Sequence, residues 1–401
     1  MREMLEAMKK TELMERARVT NLRGRSMMNK AELVEALMLG EGAAPAEAAS
    51  EAAPPLQIPG IGPEDRLEAA TRRAALNDRL AALVDQDRRC RWRSIEGHGC
   101  GLPVVRGTEA CILHTGSNGH DVAVPAVGHL GFDTWPTLFR HLHLATYDIG
   151  PIGLDPVIHE MVWHLLNGLY FDYFRVQVEG IEHVPMSGAA MLVANHGGAA
   201  LPYDAAMLSL AVLNAAPLPR RVRVSATEIF NMLPWVSHMY RKVGAVYASR
   251  DDARHVLDRG GLLGVFPEGE SGFMKPVWQA YQVQRFGRGG FVRLSETAGA
   301  PVVPVAILGA EEVHPAVAVS KRLAQLVRLV FPQQRVEEIA VFLNPVPLPV
   351  RWHIRFLPPV LPEHPGTEPD PLRVLERSED IRRSVQTALD AQLAARGSAF
   401  S

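Results

Sequence analysis

An apolar run, Met191-Leu192-Val193-Ala194, ends on Asn195-His196, and Asp204 follows with seven residues between it and the histidine. A base at the end of a strand sits at a sheet edge, where α/β proteins bind substrates. An acidic partner holds its imidazole in one tautomer and supports the imidazolium that forms when the ring takes a proton. Gly197, Gly198 and Pro202 supply a turn that returns Asp204 toward His196 at the start of the next helix. The chemistry this spacing offers is proton transfer by an oriented imidazole. Three further blocks follow apolar strands: Gly244-Ala245-Val246-Tyr247 leading to Arg250, Phe266-Pro267-Glu268-Gly269-Glu270-Ser271, and Ala300-Pro301-Val302-Val303-Pro304-Val305. Ser271 falls one residue short of a nucleophile elbow, because Phe273 takes the second glycine position, so serine hydrolysis is a minor reading.

The three cysteines, Cys90, Cys100 and Cys111, fall within 22 residues, and His114 follows Cys111 with zinc-knuckle spacing. Thiolates and an imidazole of this kind close around a structural Zn²⁺, with His98 a competing fourth ligand. Three isolated buried cysteines are the alternative, and an odd number argues against a disulfide framework.

Strand-like runs alternate with helical patterns at Phe174–Val178, Ala190–Ala194, Arg221–Ser225, Leu262–Phe266, Val302–Leu308 and Trp352–Phe356. That alternation predicts an α/β domain over about residues 135–365, a mixed sheet flanked by helices. Ahead of it the chain divides into a small helical module (1–40), an Ala/Pro/Glu linker (41–63) and a helix with the Cys/His segment (64–120). A C-terminal helix occupies 366–401.

The four ordered blocks resemble the glycerolipid acyltransferase superfamily, including 1-acylglycerol-3-phosphate acyltransferases, over about residues 170–360. The Asn-His…Asp block matches Asn195, His196 and Asp204, the arginine block Arg250, the Phe-Pro-Glu-Gly block Phe266 to Gly269, and the proline block Val303-Pro304-Val305. Residues 288–315, with Gly309-Ala310-Glu311-Glu312, are similar to the diacylglycerol acyltransferase-like branch. The resemblance implies transfer of a fatty acyl group from acyl-CoA or acyl carrier protein to a glycerolipid or lysophospholipid hydroxyl, with no cofactor for catalysis. His196 and Asp204 would be catalytic. Asn195, Gly197, Arg250, Phe266, Pro267, Glu268, Gly269 and Glu270 would bind substrate, with backbone N–H groups near Gly197 or Gly269 holding the oxyanion. Two departures stand out. The family spaces its histidine and aspartate by four residues rather than seven, and it continues Phe-Pro-Glu-Gly with Thr-Arg-Ser where this chain has Glu270-Ser271. An expected phosphate-binding arginine is therefore missing, with Lys275, Arg250 and Arg285 as substitutes.

Residues 1–40 resemble the N-terminal helical domain of transcription termination factor Rho and, more loosely, a SAP module, through Thr11-Glu12-Leu13, Arg16-Ala17 and Asn29 to Leu37. Such modules neighbour nucleic-acid-binding domains. Eight basic residues against six acidic ones in this stretch fit a solvated adaptor as well. A competing reading of the whole chain follows: a nucleic-acid- or protein-binding module on a catalytically degenerate acyltransferase scaffold. The 401 residues carry a formal net charge of -2, with 47% hydrophobic and 21% charged residues, which gives no global drive toward nucleic acid. The charged N-terminus is no secretory signal, and the longest apolar stretch, Ala205 to Pro217, is too short to span a bilayer. The expectation is a cytoplasmic protein, peripheral on the inner face of a membrane, with Trp135 to Phe174 either lying on the bilayer or packing as core helices.

Overall fold

The computed structural model describes residues 8–13, 29–31, 33–34, 60–89, 103–106, 109, 154, 156–198, 201–217, 219–226, 240–330, 338–342 and 344–400. Cys90, Cys100, Cys111 and His114 lie outside these residues, as do His98 and most of the 1–63 stretch. The chain divides into two units, Met1–Gln57 and Ile58–Ser401. In the first, residues 10–13 and 33–34 are helical and Leu13, Leu33 and Val34 are buried, in keeping with an apolar helix face there.

The second unit is a seven-stranded sheet between two helical layers. In chain order its elements are α1 (Pro63–Leu83), a hairpin of β1 (Val84–Arg89) and β2 (Pro103–Val105), α2 (Pro156–Gly168), β3 (Gln177–Glu179), β4 (Ala190–Ala194) and α3 (Tyr203–Ala215). There follow β5 (Val222–Ala226), β6 (Val246–Tyr247), α4 (Arg250–Asp258), β7 (Leu262–Val265), α5 (Glu270–Phe273), α6 (Gly290–Ala298) and β8 (Val302–Leu308). The chain closes with α7 (Ala310–Val313), β9 (Ala316–Ser320), α8 (Lys321–Val330), β10 (Ile339–Phe342), β11 (His353–Phe356) and α9 (Pro371–Ala395).

The sheet order is β3-β11-β8-β4-β7-β5-β6, and β11 against β8 is its antiparallel pairing. β4 reads Ala-Met-Leu-Val-Ala and is buried at every position, as a central parallel strand covered on both faces must be. Its side chains alternate between two cores. Leu192 and Ala194, with Val303, Val305 and Ile307 of β8, pack under α3. Met191 and Val193, with Ala306 and Leu308, pack under α4, α6 and α9. Pro304 lies just past the last β8–β11 pair, Val305 with Phe356, so its missing N–H removes no bond of that named ladder, while its carbonyl still accepts from Leu357.

The six strand runs expected from sequence appear, β4 and β8 with the expected limits and β7 one residue shorter. Two features differ from expectation for physical reasons, and one open alternative is decided over its described part. The described helix of the 64–120 segment, α1, and that of the 366–401 segment, α9, pack on the sheet and cover its two faces. Ala69, Leu76 and Leu80 of α1 join one core, and Val374, Ile381, Val385 and Leu389 of α9 join the other. From Pro156 onward, the aromatic segment packs inward: Trp163, Tyr170, Phe171 and Phe174 are buried. The β9–β10 hairpin was not expected, since its short runs border polar residues. Ala205 to Pro217 is largely the buried helix α3, and no helix among the described residues is long and apolar enough to cross a membrane.

These contacts set the limits of a foldable piece. A chain starting at Ile58 should unfold at the same temperature as the full chain, whereas one starting at residue 121 should lose cooperative unfolding. Leu80→Ala should cost about 2–5 kcal/mol in chemical denaturation, as for other fully buried leucines.

Candidate active site

β4, β7 and β5 are adjacent and parallel, so their carboxyl ends open on one edge of the sheet. From β4 the chain passes to β5 on one side, and from β7 to β8 on the other, which makes this edge a switch point where a crevice forms. His196 stands two residues past β4, Phe266 one residue past β7, and Ser225 and Ala226 end β5.

His196 Nδ1 lies 2.5 Å from Asp204 Oδ2. The longer loop therefore keeps the pair in contact. Asp204, in the first turn of α3, is fully buried, while 16% of the His196 side chain remains exposed. Gly197 N–H also donates to Asp204 Oδ2, at 2.9 Å, and Ala205 N–H donates to Oδ1 at 2.8 Å. A carboxylate with three such donors favours the tautomer protonated at Nδ1, leaving Nε2 as an acceptor. The rings of Phe266 and Phe273 pack against the imidazole, with centroids 4.7 and 5.0 Å away.

The main chain of His196 is held from behind. Glu268 Oε1 accepts its N–H at 2.7 Å, and Oε2 accepts the N–H of Gln284 at 2.6 Å. Lys275 Nζ stands 3.3 Å from Glu268 Oε2 and donates to Glu311 Oε1 at 2.6 Å. Glu311 Oε2 accepts from Tyr281 N–H at 2.5 Å. Burial works against the Lys275 ammonium, yet the two carboxylates outweigh it and hold its pKa above the ordinary value. Burial pushes the Glu311 carboxyl up, against the pull of Lys275. Two glycines let the following turn close over this cluster. Gly269 has φ 57° and ψ -143°, a region nearly restricted to glycine. A β-carbon on Gly272 would lie 2.5 Å from Glu268 Cβ and 3.0 Å from His196 Cβ.

A mostly apolar cavity opens beside His196, lined also by Ala205, Val224, Tyr240, Phe266, Gly269, Glu270 and Phe273 among others. Of the residues the sequence nominated for substrate, Phe266, Gly269 and Glu270 line it. Asn195, Gly197 and Glu268 stand behind it. Asn195 is fully buried, and its amide exchanges two hydrogen bonds with the backbone of Ile307, extending the β4–β8 ladder. Pro267 is half-buried outside the described lining, and Arg250 is exposed at the start of α4, also outside it. The N–H groups nominated for an oxyanion are both engaged, Gly197 with Asp204 and Gly269 with the carbonyl of Phe266 at 3.1 Å. Lys275 is committed to its two carboxylates. Ser271 donates to the carbonyl of Glu268.

Sequence reasoning missed Tyr240, Phe273 and the closure of the Glu268–Lys275–Glu311 network. Burial, and secondarily the Asp204 carboxylate, pushes the Tyr240 phenol well up, so it lines the cavity as a neutral group. Tyr240 stands four residues before the Gly244 block but outside every motif, so its neighbours gave no signal of a place in the cavity.

Residues 175–308 match the family described as Acyltransferase. An uncharacterized protein of Mycobacterium bovis is 38% identical over 258 residues, which cover 63% of this chain and 72% of the relative. One of Mycobacterium leprae is 37% identical over 258 residues, covering 63% and 70%. The chain belongs to the acyltransferase family. A looser structural likeness joins it to the 1-acyl-sn-glycerophosphate (LPA) acyltransferase PlsC of Thermotoga maritima, with TM-score 0.37 and 19% identity over 60% of this chain and 79% of that one. The acyltransferase match begins at the buried Arg175 and ends on the last residue of β8, so it spans every element that carries His196, Asp204 and Glu268 but excludes Glu311.

In this chain, Lys275→Met leaves two buried carboxylates without their cation. The loss should be about 3–5 kcal/mol in denaturation at neutral pH. The Lys275 pKa is raised, so its stabilisation is complete below 10.5 and fades as pH rises through the folded value. The Glu311 pKa is also raised, so its ionisation costs stability as pH climbs from 4.5 through the folded value. The Lys275→Met deficit should therefore shrink as pH is lowered toward 4.5. A variant as stable as the parent at neutral pH contradicts the network.

Proposed function

We propose that this protein is an O-acyltransferase that moves a fatty acyl group from a thioester to a lipid hydroxyl, with His196 as general base. The observation that carries the reading is the His196–Asp204 contact opening onto an apolar cavity at the carboxyl edge of the sheet. His196 Nε2 takes the proton of the acceptor hydroxyl as its oxygen attacks the thioester carbonyl. Asp204 orients the ring through Nδ1–H and stabilises the imidazolium. The tetrahedral intermediate collapses with cleavage of the carbon–sulfur bond, and the imidazolium returns the proton to the leaving thiolate. Acyl-CoA or acyl carrier protein serves as donor, and no cofactor takes part. An intact, partly exposed dyad on a buried support speaks against a degenerate scaffold.

The acceptor is neutral rather than a phosphate monoester. Among the described residues lining the cavity there is no lysine or arginine, and Glu270 contributes a carboxylate. Lys275, the nearest substitute for the missing arginine, is buried between Glu268 and Glu311. A phosphate monoester would meet a like charge there.

His196→Ala should lower acyl transfer by about 10²–10⁴-fold with thermal unfolding unchanged. Asp204→Asn should lose more than about tenfold, because the amide no longer favours the Nδ1–H tautomer. Thiol release from acyl-CoA checks both, and full activity in His196→Ala contradicts the assignment. With the wild-type protein, a neutral acylglycerol should be acylated faster than lysophosphatidate. A clear preference for lysophosphatidate, unimproved by Glu270→Arg, contradicts the neutral-acceptor reading while leaving acyl transfer in place.

A further inference from the structure

The chain leaves β8 at Leu308 and re-enters the sheet at His353, and these two residues are partners in the β8–β11 ladder. Everything between them, including β9, α8 and β10, is therefore an excursion from one edge of the sheet. That edge is the one bearing His196, because β4 and β8 run parallel with Ala194 opposite Val305. The excursion also touches the site's flank: the ring of His314 stacks on Tyr203, next to Asp204, and lies 5.1 Å from Phe342 of β10.

Helix α8 reads Lys-Arg-Leu-Ala-Gln-Leu-Val-Arg-Leu-Val. Its packed side holds Ala324, which is fully buried. Yet Leu323, Leu326 and Leu329 are 43%, 59% and 79% exposed, recurring every three residues along an outward face. Lys321, Arg322 and Arg328 accompany them, and the helix contains no acid. Glu338 lies 3.5 Å from Lys321, both largely exposed. Two other loops of the same edge add exposed apolar groups, Leu201 between His196 and Asp204, and Trp278 after α5.

We propose that α8 is a docking surface for an anionic lipid bilayer, its leucines entering the interface and its cations meeting lipid headgroups. The charge decides between occupants. A second copy seated symmetrically on this face would set cations against cations, whereas an anionic membrane complements three local positive charges on a chain whose net charge is -2. Docking there turns the carboxyl edge, with the mouth beside His196, toward the lipid. That orientation serves catalysis only if the acyltransferase reading holds; the lipid contact itself does not depend on it.

The test is co-sedimentation of the full chain with vesicles of phosphatidylcholine, with and without about one third phosphatidylglycerol. The protein should bind the anionic vesicles more tightly and lose binding as salt rises. Leu326→Glu with Leu329→Glu should weaken binding by at least about tenfold, and both side chains are exposed, so the fold should persist. Arg322→Gln with Arg328→Gln should erase most of the anionic preference, about fivefold per cation. No binding by the wild type, or binding by the leucine variant equal to it, overturns the proposal. So does sedimentation without lipid that shows a dimer dissolved by the leucine variant. Acyl transfer between water-soluble short-chain substrates separates the two claims: its rate should survive the leucine variant. If the wild type binds vesicles as expected but transfers no acyl group, the enzymatic reading falls and the lipid surface stands.

Discussion

One carboxylate, that of Glu268, joins the parts of the site. One oxygen takes the main-chain N–H of His196 after β4, and the other takes the N–H of Gln284, far along the loop that follows β7. Two loops from neighbouring strands are thereby fixed to each other by charge-assisted hydrogen bonds. Glu268 is buried, so its charge must be offset, and Lys275 supplies the offset while reaching on to Glu311 past β8. Three strand ends are tied through three side chains. The imidazole itself stays partly exposed and is oriented on its other side by Asp204.

The fold makes that tie available. Parallel neighbours place their carboxyl ends on one edge, and the order of β5, β7, β4 and β8 brings there the loops that carry charge. The two helical layers keep the strands apolar on both faces, so polar chemistry is expelled to that edge. Asn195 marks the boundary: it continues the hydrogen-bond ladder with Ile307 as a side chain, where the main chain turns away to present His196.

Much of this was legible in sequence because it is written locally. The apolar run 190–194 is short and flanked by Gly188 and Gly197, which reads as a doubly covered strand with its terminal histidine at the edge. The pairing of His196 with Asp204 survived a loop longer than the family's because the turn residues Gly197, Gly198 and Pro202 bend the chain back. What was not legible is set by tertiary distance. Nothing near Lys275 announces two carboxylates, one of them 36 positions away. Nothing in Asn195 tells a ladder-capping amide from a ligand-binding one. Helices α1 and α9 read as appendages because each flanks a change of composition, whereas the sheet needs both to cover its faces.

The proposed chemistry requires Asp204 to hold His196 with its proton on Nδ1 and Nε2 turned to the acceptor. The ¹⁵N chemical shifts of the His196 ring, assigned by difference against His196→Gln, test this most directly. Expected are a protonated Nδ1 whose proton is shifted downfield by its bond to Asp204, an unprotonated Nε2 in the neutral ring, and loss of the downfield proton in Asp204→Asn. A ring protonated on Nε2 alone, or one unchanged by Asp204→Asn, would contradict it.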